Sequence, residues 1–189
     1  MKSVLISINP KWCELIASGK KTIEVRKTKP KCDTPFKCYI YCSKGTKDLI
    51  KGCIATTIGF VARNSGKVIG EFVCRNMTCI QADIDSQGRK HLYNTAFIEN
   101  RMCLTDEELF NYIYDGKRNI GWGWHISDLV IYDKPKELSE FWNADKCPYA
   151  SKNGCAYKYH CFRAGETKRC GQQIERPPQS WCYVEGVEE

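Results

Sequence analysis

The sequence predicts an α+β domain, a small mixed β-barrel with two short helices, followed by a cysteine-rich C-terminal extension. Three observations lead there. Runs rich in β-branched and aromatic residues recur through residues 1–142, and two helical segments interrupt them without regular βα alternation. Apolar residues make up 42% of a chain of 189, with five tryptophans, enough for a core that needs no disulfides. From Asn143 the composition turns polar and turn-rich, and five of the thirteen cysteines fall between Cys147 and Cys182.

The elements follow in order. "SVLISI" (Ser3–Ile8) is β-branched and weakly alternating, so it reads as a strand. In "NPKWCELIASG" Asn9 can cap a helix, Pro10 takes its first position and Gly19 supplies the left-handed stop, with Trp12, Leu15 and Ile16 as the buried stripe. A strand over Lys21–Arg26 leaves at once, and "KTKPKCDTP" is a basic, proline-containing loop. "FKCYIYC" (Phe36–Cys42) is a third strand, "SKGTKDLIKG" a polar turn, and Lys67–Ala82 a long strand or hairpin. "DSQGRK" reads as a loop. Thr105 and Glu108 spell a capping box for a second helix that Gly116 would end. Gly121–Pro135 is a late strand entered through a glycine pair, and "KELSEFW" suits a last helical turn.

No apolar run reaches the length of a membrane span, and "MKSVLISINP" has the pattern of a strand rather than of a signal peptide, so a soluble cytoplasmic protein is expected. Thirteen cysteines without an export signal read as reduced thiols, several inside apolar patterns such as "CYIYC". The net charge of +7 is uneven: residues 1–53 carry 12 Lys/Arg against 4 Asp/Glu, and the rest balances to −1. That asymmetry points to an anionic partner, nucleic acid first and a charged metabolite second.

The most basic part of the chain contains "GKKTIEVR", with Lys21, Glu24 and Arg26 close together. A solvated edge strand accounts for such a run. "LIASGKKTIEVR", a helix running into Gly-x-Lys-x-x-Glu-x-Arg, also resembles the signature of the ASCH domain, a branch of the PUA-like superfamily. "VLISINPKW", "VIGEFVC" and "GWHISDLVIYDKPKEL" stand in the order that family shows, so the resemblance covers about residues 3–140. It implies a compact barrel with a cleft beside the motif strand. ASCH domains are generally regarded as RNA-binding. Some are hydrolases, including one that deacetylates N4-acetylcytidine, and another is a reported ribonuclease.

Under that resemblance Lys21, Glu24 and Arg26 become candidate ligand-binding residues. Glu24 would accept from a base edge, Arg26 would orient it or meet a phosphate, and Lys21 would supply a flexible cation. On a regular strand Lys21 points away from the face of Glu24 and Arg26, but it follows Gly19 by two residues, where the chain still turns. The acetylcytidine hydrolases carry a Thr where this chain has Glu24, so their hydroxyl nucleophile is lacking. Lys21 and Glu24 stay catalytic candidates only for water-based hydrolysis, with Glu99 near the place of the family's third residue. Trp122, Trp124 and His125, after the glycine-rich entry, are candidates for a base-stacking platform, Trp124 and His125 as ligand-site residues, with a core role for Trp124 as the other reading. Lys27, Lys29 and Lys31 are candidate phosphate contacts.

The extension, residues 143–189, is expected to form its own module. Cys147, Cys155, Cys161 and Cys170 are candidate ligands of a structural zinc, which would supply folding energy that a polar segment lacks. Packing thiols are the alternative. Cys32, Cys38, Cys42 and Cys53 read as strand-core and loop thiols. The leading expectation is RNA or modified-nucleotide binding. The alternatives are a small hydrolase of a modified nucleoside or an RNA phosphodiester, and an adaptor whose tail docks a protein.

Overall fold

The computed structural model describes residues 2–44, 64–143, 150–151, 154–155 and 172–185. β1 (Lys2–Ile8) leads into α1 (Pro10–Ala17), where Asn9 Oδ1 accepts from Lys11 N at 3.1 Å. Pro10 opens the helix and Gly19, at φ +74°, carries the chain out of it. β2 (Ile23–Arg26) and β3 (Phe36–Cys42) follow, then the 17-residue β4 (Val68–Ile84) and its hairpin partner β5 (Lys90–Tyr93). Two further helices, α2 (Glu99–Met102) and α3 (Asp106–Ile113), precede the equally long β6 (Ile120–Lys136). Thr105 and Glu108 make the expected capping box on α3, which ends at Ile113, three residues before Gly116. Leu138–Glu140 is a 3₁₀ turn where a helical turn was expected. α2 and β5 carry too little periodicity, at four residues each, to be read from the sequence.

With β11 spanning Trp181–Glu185, the main sheet has seven strands in the order β11-β1-β3-β4-β6-β2, with β5 paired to β4. β1 and β3 run parallel, and the other pairs are antiparallel. β4 and β6 pair over most of their length through three register shifts, the bulges by which long strands bend. The expected barrel is corrected here: the sheet does not close, and β11 and β2 are its two ends. A side chain bridges the opening, with Arg26 Nη2 of β2 donating to Ser7 O of β1 at 2.6 Å.

Short pairs complete the chain: β7 (Trp142–Asn143) with β10 (Gln172–Gln173), and β8 (Ala150–Ser151) with β9 (Gly154–Cys155). β11 (Trp181–Glu185) belongs to the expected C-terminal module, yet it adds to the edge of β1 in the main sheet. Ile174 and Val184 share a core cluster with Leu5, Tyr39, Tyr41, Val68 and Phe141. The boundary at 142/143 is therefore crossed by sheet and core alike. The reason is apolar: Leu5, Tyr39 and Tyr41 face away from the principal core, and Phe141, Ile174 and Val184 join them to bury that second side.

The principal core joins β1, α1, β3, β4 and β6 through Val4, Ile8, Ile16, Phe36, Phe72 and Trp124, among others. A second cluster seats α2 and α3 through Met102, Leu109, Phe110 and Ile113 on Ile23, Val25 and Ile80. Among the described residues no helix is long and apolar enough to cross a membrane.

Candidate functional site

Lys21, Glu24 and Arg26 come together, and they are buried rather than solvated. Their exposures are 2%, 5% and 8%. Lys21 stands before β2 in the turn out of α1, its backbone N donating to Leu15 O at 2.8 Å. The turn swings its side chain to the side of Glu24, as the position after Gly19 allows. Lys21 Nζ lies 3.5 Å from Glu24 Oε2, and Arg26 Nη2 lies 2.9 Å from Glu24 Oε1. Lys21 Nζ also donates to the carbonyl of Met102, at the end of α2. One carboxylate thus serves two cations, and each cation also donates to a backbone carbonyl.

These three residues form the floor of a cleft of about 380 Å³, a volume in the range of ligand pockets. The cleft sits where the sheet fails to close, since Ser7 of β1 and Arg26 of β2 both line it. Trp12 of α1 and Tyr112 of α3 supply aromatic walls, with Asn9, Leu104 and Glu108 around them. Cations accompany both rings: Lys11 and Lys21 lie 4.5 and 5.0 Å from the Trp12 centroid, and Lys27 lies 5.4 Å from that of Tyr112. Glu24 keeps acceptor capacity, because a carboxylate offers about four lone-pair sites.

Burial lowers the Lys21 pKa, and the Glu24 carboxylate opposes that shift. Burial likewise raises the Tyr112 phenol. Glu108 is held below the usual carboxylate range by the backbone N–H of Thr105, so the capping box keeps it ionised at the cleft edge.

The remaining candidates divide. Trp124 is a core residue, fully buried and edge-on to Phe36 at 5.6 Å, so its place in the ligand site is corrected. It pairs with Glu24 in the β2–β6 register, but its ring lies in the principal core. His125, one residue on, points to the opposite side of the strand, where Nε2 is 2.8 Å from Thr78 Oγ1, and it does not line the cleft. Burial and then the Arg101 charge lower its pKa. Glu99 is exposed on α2, away from the lining, and the cleft glutamate beside the motif is Glu108. Lys27 is half-buried, 4.0 Å from Asp115, while Lys29 and Lys31 are exposed.

Of the zinc candidates, Cys147, Cys161 and Cys170 lie outside the described residues, and Cys155 is placed only as backbone, in β9. Among the described residues no group of three or more His, Cys, Asp or Glu is arranged to hold a metal ion. Cys38 and Cys42 are buried strand thiols and Cys32 a half-buried loop thiol, as expected, and Cys53 lies outside the described residues.

Sequence reasoning missed the walls. Trp12 has the spacing of a core residue and is half-buried at the cleft, and Tyr112 sits on a helix whose apolar stripe is Leu109, Phe110 and Ile113. The available signal was Tyr112 itself, an aromatic just off that stripe on a short helix.

No protein-family model matches the sequence, and no curated protein is similar to it. Solved structures are similar. An ASCH protein from Zymomonas mobilis aligns at a TM-score of 0.52 and 15% identity, covering 97% of this chain and 87% of its own. A tyrosine-to-phenylalanine variant of that protein aligns at 0.53 and 15% identity, covering 98% and 91%. At that identity the likeness shows the fold, which is that of an ASCH domain.

Proposed function

With the ASCH fold as premise, we propose that this chain binds RNA, taking one base or modified nucleotide into the cleft above Lys21, Glu24 and Arg26. The observation that carries this reading is the buried charge trio flooring a cleft walled by Trp12 and Tyr112. Burying three ionised groups is costly, and replacing such networks by apolar residues is often neutral or stabilising. A floor of this kind supports a site in which donors and an acceptor stand ready for the edge of a base. The aromatic walls supply π faces on which any base can stack. Glu24 accepts from an amino or imino group, and Arg26 donates to a ring carbonyl or nitrogen.

Glu24→Gln keeps the size, removes the charge and replaces one acceptor by a donor, so it should change which base is preferred. Tyr112→Ala should weaken all bases alike by about 1–3 kcal/mol. The test is calorimetry with a panel of nucleosides, N4-acetylcytidine included, and short RNA oligomers. Equal affinities of wild type and both variants across the panel, with folds intact, would remove the cleft from the reading.

Hydrolysis is the second reading, favoured by a carboxylate and a cation 3.5 Å apart on the floor of the cleft. Glu24 would then be the general base for a water attacking an amide or phosphodiester, with Lys21 beside it as the cation for the developing charge. Turnover of N4-acetylcytidine or RNA that disappears in Lys21→Met while binding persists would establish it. For the tail, a structural zinc held by Cys147, Cys155, Cys161 and Cys170 remains our proposal, as does its use as a protein-docking module.

A further inference from the structure

We propose a second nucleotide subsite next to the cleft, formed by Trp122 and Lys29, so that the ligand is a single-stranded RNA segment rather than a free nucleoside. This rests on the cleft reading above. Trp122 is the register partner of Arg26 across β2 and β6, so the ring stands beside the residue that floors the open end of the cleft. It is half-buried against the principal core, and Lys29 Nζ lies 4.1 Å from its centroid. A rigidly seated indole covered by a movable ammonium is a stacking platform with a lid that a base can displace. The magnitudes favour displacement. An exposed cation–π contact is worth a factor of about two to five in an equilibrium, and a stacked base about five to 150.

The displaced lysine has a use. Lys29 and Lys31 have no carboxylate partner among the described residues, so their charge is available to a phosphate. Lys27 already leans on Tyr112, 4.0 Å from Asp115, which places a cation at the cleft wall. The loop that carries them is fixed from beneath. Trp181 Nε1 donates to Thr28 Oγ1 at 3.0 Å, and Lys31 N donates to Tyr183 Oη at 2.7 Å, both partners on β11. Inside the cleft, by contrast, Lys21 and Arg26 are already paired with Glu24, so the floor has little positive charge left for a phosphate. A chain of nucleotides suits this division: one base inside, its neighbour on Trp122, and the phosphates along the Lys27–Lys31 loop.

The test uses the full chain and a 5′-fluorescein RNA hexamer of random sequence, read by anisotropy at several salt concentrations, beside calorimetry with the four nucleosides. Trp122→Leu should weaken the hexamer about tenfold to a hundredfold and leave nucleoside affinity within about twofold. Lys29→Ala should reduce the slope of log affinity against log salt by about 0.7. Because Trp122 touches the core, Lys29→Glu serves as the variant that leaves packing alone, and it should weaken the hexamer without affecting nucleosides. Hexamer affinity unchanged in both Trp122→Leu and Lys29→Glu, while Glu24→Gln still alters it, would overturn the second subsite and keep the cleft. Absence of both nucleoside and hexamer binding by wild type would overturn both.

Discussion

Glu24→Gln is the most informative change to stability, because one carboxylate neutralises two buried cations. The substitution keeps the volume and leaves Lys21 and Arg26, at 2% and 8% exposure, without a counter-charge. Removing one partner from a buried ion pair costs about 3–5 kcal/mol. For a chain of this size each kcal/mol moves the melting temperature by about 2–4 °C, so a drop of about 6–20 °C is expected. Lys21→Met should be much milder. It gives up the 3.5 Å contact with Glu24 and the hydrogen bond to the Met102 carbonyl, but it also removes a desolvated ammonium, and Arg26 still neutralises Glu24 from 2.9 Å. The two changes should therefore couple with a definite sign. In Lys21→Met/Glu24→Gln one stranded cation is gone, and the double variant should recover about 1–2 kcal/mol relative to Glu24→Gln alone. Thermal and urea melts of the four proteins close the cycle. A double variant as unstable as the sum of the singles, or a Glu24→Gln shift below about 2 °C, would refute the premise that this trio is a desolvated, mutually compensating unit.

Other outcomes follow from the same structure. His125 has a lowered pKa, so below pH 6.5 the unfolded chain takes up a proton that the folded chain resists. Stability should be full above pH 6.5 and fall as the pH drops toward the folded value, and melts from pH 7.5 to 5 should show His125→Gln flattening that decline. Phe97 is 95% exposed at φ +70°, a left-handed conformation costly for an aromatic residue. Phe97→Asn should raise the melting temperature by about 2–4 °C, roughly 1 kcal/mol, and a loss of stability would mean the ring makes contacts that matter. Protein purified without chelator should contain about one zinc per chain by elemental analysis, lost in Cys155→Ser and Cys161→Ser. A stoichiometry near zero would leave those cysteines as packing or free thiols.

Signals confined to a few neighbouring residues were legible in the sequence. Asn9-Pro10 and Thr105…Glu108 specify helix starts because a cap is satisfied within three residues, and both operate as read. The strands over Phe36–Cys42 and the long apolar runs of β4 and β6 follow from composition and alternation. The convergence of Lys21 with Glu24 was half legible: Gly19 marks a turn, but how far the turn rotates a side chain depends on what it meets, here the carbonyl of Met102, 81 residues away. What the tryptophans face was decided by tertiary structure. Trp122 and Trp124 keep the regular two-residue alternation and share one face of β6, but what packs on that face buries Trp124 and leaves Trp122 half-buried, and α1 presents Trp12 to an opening that only the assembled sheet creates. The failure of the sheet to close between its β11 and β2 ends, and the return of β11 to β1, also had no local trace. Ser7 Oγ donates to Pro178 O across 171 positions of chain, and backbone ladders between distant strands carry almost no side-chain code. Sequence alone determined the longer elements and the charged motif, because caps, turns and alternation are short-range. Tertiary structure decided that the motif is buried, that a cleft lies above it, and which aromatics wall that cleft, because burial is a property of what packs around a residue.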